Sequence, residues 1–314
     1  MILPSEADRF GLANDHACDP DRSDCGDPNS SEFALEQWRE CFDDDLLDFS
    51  KRQVIPPLPR CIPNLRAREN AHDIYSRVLA VKATDIGGLR CRDSRRLASW
   101  RLKYGVDTHA LLMIHQESRD PLIESLWRHM RDDSFYDELQ RLGRLVLVSP
   151  GFSVYDDGTM CDLRQVLHMR LSLRLAARAN QSGVPVIPTF GWNHHRKHDL
   201  KFLAEWCERQ GDKLYSVAVN AQTGSLSVEL QNLVQGMMFI EQKVGRSYEW
   251  IVFGGRQRIE RITEFLPRNR IVQVARAENF DFVQREARVR SSSQPARRHF
   301  GCLNASAFES GLRP

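Results

Sequence analysis

Two imidazoles four residues apart stand out in His194-His195-Arg196-Lys197-His198, where His194 and His198 have the one-face spacing that a helical zinc site uses. Such a site needs a third ligand, and Glu117, Asp156 or Asp157 are the carboxylates that neighbouring strand ends offer. Arg196 and Lys197 place positive charge beside the proposed cation, so a bound metal is not expected. A basic loop that grips phosphate or a nucleic-acid backbone explains these residues more simply, and an ordinary surface loop explains them as well. Phe253-Gly254-Gly255-Arg256, leading into a helix, has the make-up of a phosphate cradle. Its glycines admit close backbone approach, the helix N-terminus adds partial positive charge, and Arg256 has a guanidinium that can hold two oxygens. The same Gly-Gly pair also suits a plain tight turn.

Asp156 and Glu117 are candidate general acid or base groups, with His194 the third catalytic candidate; Asp156-Asp157-Gly158 equally has the composition of a turn. Tyr155 and Trp192 offer faces on which a base or sugar ring can stack, although Trp192 fits a core position too. Ser153 lies outside a Gly-x-Ser-x-Gly elbow, and no ordered Asp and His partners mark a triad. The ligand-binding set expected at one edge is Ser149, Ser153, Tyr155, Trp192, Asn193, Asn220, Gln222, Gly254, Gly255 and Arg256.

These residues need a scaffold that gathers them. Apolar runs predict strands at Val78–Lys82, Ala110–His115, Leu145–Ser149, Val184–Thr189, Leu214–Asn220, Trp250–Phe253 and Ile271–Val274. Helices are predicted over Pro121–Met130, Asp162–Gln181, Asp199–Gln210, Glu229–Val244 and Gln257–Phe265, with Gly183, Gly211 and Gly245 closing three of them. Repeats of roughly 25 to 40 residues are the size of βα units in a parallel sheet. Seven strands with intervening helices predict an α/β fold of the parallel (β/α)-barrel type, an incomplete barrel by that count. No Gly-x-Gly-x-x-Gly follows the first strand, so no dinucleotide cofactor is expected, nor any other cofactor. In such folds ligands lie at the C-terminal strand edges, and the candidates above fall there.

Leu147 to Tyr155, with its Ser149-Pro150-Gly151-Phe152-Ser153-Val154-Tyr155 strand end, resembles one family, as do Gly183 to Trp192, Ser216–Val219 and Ile251–Gly254. The family occurs in bacterial, phage and mobile-element proteins and has no established function. Its pattern is S-P-x-F-S-x-Y, then G-x-x-V-I-P-x-x-x-W, then a strand ending in Gly. Ser118–Trp127 is similar to its acidic segment before a Trp, and the resemblance spans roughly residues 107–256. This chain has Gly151 where the family usually has an acidic residue, so the resemblance supplies no carboxylate there. It implies the architecture and no activity.

The 314 residues carry a net charge of only +2, which hides a segregation. Residues 1–50 hold 14 Asp+Glu against 3 Arg, a balance of −11, and the remaining 264 hold 41 Lys+Arg against 28, a balance of +13. Residues 1–31 lack an apolar period and are expected to be disordered. Phe33–Phe49 has the spacing of a short acidic amphipathic helix, and Pro56-Pro57-Leu58-Pro59 stiffens the chain beyond it. The expected organisation is an acidic arm and Pro-rich linker over 1–68, a barrel-like domain over 69–284, and a basic flexible tail over 285–314. The arm is either a solvated tail or a cover for a basic groove, where it competes with an anionic ligand. Eight scattered Cys without a C-x-x-C pair suit reduced thiols in a cytoplasm. No apolar run spans a bilayer and Met1–Glu6 has no secretory character, so no membrane partner is expected. The functional expectation is an enzyme of transferase or hydrolase type acting on a phosphate-bearing nucleotide or nucleic acid. The alternative is a non-catalytic accessory protein that binds nucleic acid or a partner.

Overall fold

The computed structural model describes residues 40–65, 77–83, 101–102, 106, 109–115, 133–141, 144–151, 162–193, 196–221 and 228–276. The strands are β1 (Cys61–Leu65), β2 (Val78–Lys82), β3 (Leu111–His115), β4 (Leu145–Val148), β5 (Val186–Ile187), β6 (Thr189–Phe190), β7 (Ser216–Asn220), β8 (Glu249–Phe253) and β9 (Ile271–Arg276). The helices are α1 (Asp133–Arg141), α2 (Asp162–Gln181), α3 (Lys197–Gln210), α4 (Val228–Val244) and α5 (Arg256–Thr263). All pairings are parallel, in the order β5-β4-β3-β2-β1-β9-β8-β7-β6.

The two ends of that order are one stretch of chain interrupted only at Pro188. Its carbonyls alternate in direction: Pro185 and Ile187 accept from Leu147 and Ser149 on the β4 side, and Pro188 accepts from Ala218 of β7. The run Val186–Phe190 therefore closes the sheet on itself, and nine segments fill eight positions of a (β/α)-barrel.

The eighth position is β1, which lies between β2 and β9. Sequence patterning assigned this segment to the linker, because Cys61-Ile62-Pro63-Asn64-Leu65 follows a Pro-rich run and carries a proline itself. Pro63 pairs with Ala275, while pairing to β2 begins only at Asn64. The boundary expected at 68/69 is thus corrected: the barrel begins before residue 65. Helix α1 was also missed. The helix expected at Pro121–Met130, residues 1–31 and the tail over 285–314 lie outside the described residues.

Alternation along the strands sorts the core into two layers. Val78, Ala80, Leu111, Met113, Val146, Val148, Ile187, Ala218, Ile251, Val272 and Val274 fill the barrel with no helical residue among them. The alternate residues, such as Leu79, Leu112, Leu147, Val217 and Trp250, pack outward against α2, α3 and α4.

The chain leading into β1 is part of this core. Leu47 and Phe49 are 0% and 1% exposed, and the Phe49 ring meets Trp206 edge-on at 5.7 Å. Trp206 Nε1 donates to the Leu47 carbonyl at 3.0 Å. Acidic side chains of the same stretch meet arginines of α2 and α3: Asp44 with Arg170 at 2.7 Å, Glu40 with Arg174 at 3.5 Å, and Asp48 with Arg209 at 3.5 Å. Farther on, buried Gln53 caps the N-terminal strand edge. Its amide donates to the Val186 and Ser216 carbonyls and accepts from the Tyr215 and Ser216 N–H groups. Leu58 and Ile55 then close the barrel's inner layer from below. The described part of the acidic arm thus pairs with arginines of α2 and α3 on the barrel wall. Among the described residues, no helix is long and apolar enough to cross a membrane.

Candidate functional site

Parallel connectivity sends every strand's C-terminal end to one face, as the βα periodicity requires. In several strands the inner side turns from apolar to polar at the C-terminal end. Ile62 is followed on that face by Asn64, Ala80 by Lys82, Met113 by His115, and Ala218 by Asn220. Register sets Lys82 beside His115, Asn64 beside Arg276, and Asn220 beside Phe253. A polar ring therefore crowns the apolar interior at the face where barrels of this kind bind ligands.

His115 is the most constrained member. It is 2% exposed, its Nε2 lies 3.0 Å from Asn64 Oδ1, and its ring centroid is 4.9 Å from that of Phe253. An amide oxygen only accepts, so this contact places the ring proton on Nε2 and leaves Nδ1 as a bare acceptor. Among the described residues Nδ1 has no hydrogen-bond partner. Burial first, and the Lys82 charge second, lower the His115 pKa to about 3, so the ring is neutral at physiological pH. Lys82 is half-buried and forms no ion pair with a described residue.

The expected site residues fall into three groups. Glu117, Asp156, His194, Ser153, Tyr155 and Gln222 lie outside the described residues. Ser149, Asn220, Gly254 and Gly255 do lie at the C-terminal edge. Ser149 is consumed by the seam, where its Oγ accepts from the Thr189 N–H at 2.8 Å and its carbonyl accepts from Thr189 Oγ1 at 2.5 Å. Gly254 donates its N–H to the Val274 carbonyl, and a Cβ there would stand 3.3 Å from the Ala221 Cβ. Gly255 is the N-cap of α5 in extended conformation, so the turn needs no positive φ there.

The third group has structural work. Trp192 lies against α4: a Cβ on Gly236 would sit 2.4 Å from the indole, so that glycine exists to admit the ring. Asn193 is buried, its N–H donating to Asp199 Oδ2 at 3.1 Å and its amide to Gln165 Oε1 at 3.3 Å. Asp199 also holds Arg196 at 2.7 Å, which organises the entry to α3. Arg256 turns back along its helix to Glu260 at 2.7 Å, on an exposed face, while Arg258 reaches the Ala221 carbonyl at 2.5 Å.

Of the residues gathered here, sequence reasoning left Asn64 and Lys82 unremarked and read His115 as a polar strand-end residue without giving it a role. The signal was available for two of them, because Lys82 and His115 end predicted strands with the parity of the inward apolar residues. Asn64 was hidden with β1. Two thiols are excluded as nucleophiles: burial pushes Cys41 and Cys207 up to about 12, so both remain protonated. No group of three metal-ligating side chains occurs among the described residues.

No family model matches the chain, and no curated protein matches it. Among solved structures it is similar to the YdjI aldolase from Escherichia coli K12, at 14% identity and a TM-score of 0.35, over 81% of this chain and 88% of that one.

Proposed function

We propose that this protein is an enzyme of transferase or hydrolase type whose barrel mouth takes a small phosphate-bearing ligand. The observation that carries the reading is Lys82, an ammonium set into the polar ring beside a neutral, buried His115 and without a carboxylate partner among the described residues. A cation in that position has its charge available for an anion. The N-terminus of α5, entered through Gly254-Gly255, adds partial positive charge at the same edge.

A nucleic-acid-binding accessory protein needs a continuous basic surface. Many of the described arginines are already matched: Arg170, Arg174, Arg178 and Arg209 by the acidic residues before β1, Arg256 by Glu260, Arg261 by Glu264 and Arg270 by Glu241. That internal pairing favours a small ligand over a polymer.

The test is thermal stabilisation by inorganic phosphate and by a panel of phosphomonoesters and nucleoside monophosphates, followed by assay of the binders for phosphate release or transfer. A ligand held by the native state raises the midpoint with concentration, by an amount equivalent to about 2.7 kcal/mol at one hundred times Kd. Lys82→Met should abolish the response. Absence of any response at millimolar ligand overturns the reading.

A further inference from the structure

Phosphate alone leaves one feature of the mouth unused. His115 Nδ1 is buried, carries the ring's lone pair, and has no partner among the described residues. With Asn64 Oδ1 as the acceptor the ring proton is assigned to Nε2, and Nδ1 is then the open acceptor. A buried acceptor left unpaired is costly, and where native structures retain one, the group commonly has a task. Its neighbour in register is Lys82. The pair therefore offers a fixed positive charge and, next to it, an acceptor that cannot take up a charge of its own.

We propose that the ligand of this mouth carries a hydroxyl or N–H donor close to its anionic group, the donor being received by His115 Nδ1 and the anion by Lys82. The inference rests on the phosphate-ligand reading and narrows it to hydroxylated or amino-bearing phosphate esters. A bare anion uses only half of the site. Binding requires a rearrangement of the layer that buries the ring, and Phe253 is the described aromatic that packs on it.

The experiment compares ethyl phosphate with glycerol 3-phosphate, which share the phosphate and differ in their hydroxyls, by calorimetric titration of the full chain. The expected result is that glycerol 3-phosphate binds about tenfold more tightly, the worth of one hydrogen bond, and that His115→Phe removes this preference. A second measurement needs no variant: 15N spectra of the histidine rings should show the unprotonated His115 Nδ1 resonance shifting with glycerol 3-phosphate and not with ethyl phosphate. Equal affinities, or a His115 resonance indifferent to both esters, overturn the inference. If both esters then still lose binding in Lys82→Met, the phosphate reading survives without it. If neither ester binds, both fall together.

Discussion

Along β3 the side chains of Leu111, Met113 and His115 share the barrel's inner face, and the polar one comes last. Its depressed pKa has a thermodynamic consequence. Unfolded, the imidazole binds a proton below about 6.5, whereas in the folded chain it does so only near 3. The folded state is therefore favoured fully above 6.5, and this contribution is lost as the pH falls from there toward 3, at up to about 1.4 kcal/mol per pH unit. Urea unfolding of the intact protein and of His115→Phe at pH 7 and pH 4.5 should show a smaller acid loss in the variant; equal losses would place His115 in a solvated setting. Gly236 gives a second prediction. Gly→Ala inside a helix ordinarily gains up to about 1 kcal/mol, but here the new Cβ meets the Trp192 indole at 2.4 Å. Gly236→Ala should instead cost about 1 to 3 kcal/mol, and a double-mutant cycle with Trp192→Leu should recover most of it. Both residues illustrate what the sequence makes legible. Trp192 reads as a stacking platform or a core residue, and only the glycine one layer away, on α4, decides between them. His115 was within reach, because period-two alternation over Leu111–His115 singles it out, yet the polar residues beyond the strand end drew attention to Glu117.

At the scale of elements, the stretch from Glu40 to Pro59 departs most from its composition. Charge and prolines mark it as tail and linker, but Leu47 and Phe49 are buried and Trp206, Asn180 and Gln210 bond to its backbone. An aromatic series runs from Phe49 through Trp206 and Phe190 to Trp250, tying this segment to the closing strand. The helical spacing read over Phe33–Phe49 gives a 3-10 turn at Asp44–Leu47 among its described residues, and nothing in that spacing names Trp206 as the partner that buries Phe49. Deletion of residues 1–50 should consequently do more than unveil Arg170, Arg174 and Arg209. Phe49→Ala alone should cost about 3 to 5 kcal/mol, read as a drop in the unfolding midpoint with the denaturant slope unchanged. A midpoint unmoved by Phe49→Ala would return the segment to the status of a solvated tail.

For the whole molecule, closure is the property that distinguishes a barrel from an open sheet, and it depends on two seams. One is the run around Pro188, whose carbonyls serve β4 and β7 alternately. The other joins β1 to β9, pairing residues more than two hundred apart in the chain: Cys61 to Asn64 stand opposite Gln273 to Arg276. The second seam was invisible in the sequence because nothing local to a Pro-containing pentapeptide specifies a partner so distant. The βα period, by contrast, was legible, since each helix and strand is specified by its own apolar face. A closed barrel has no edge strand to fray, so the first strand should belong to the same cooperative unit as the last. The Gln273 N–H, which donates to the Arg60 carbonyl at 2.7 Å, should exchange with solvent as slowly as the N–H groups of the β2–β3 pair. Ile62→Ala, a truncation at a position with 0% exposure in the inner layer, should lower protection in β9 and β2 together. If Gln273 instead exchanges faster than the β2–β3 amides, with Ile62→Ala affecting β1 alone, the sheet is open at that seam and the polar ring across it is not a fixed site.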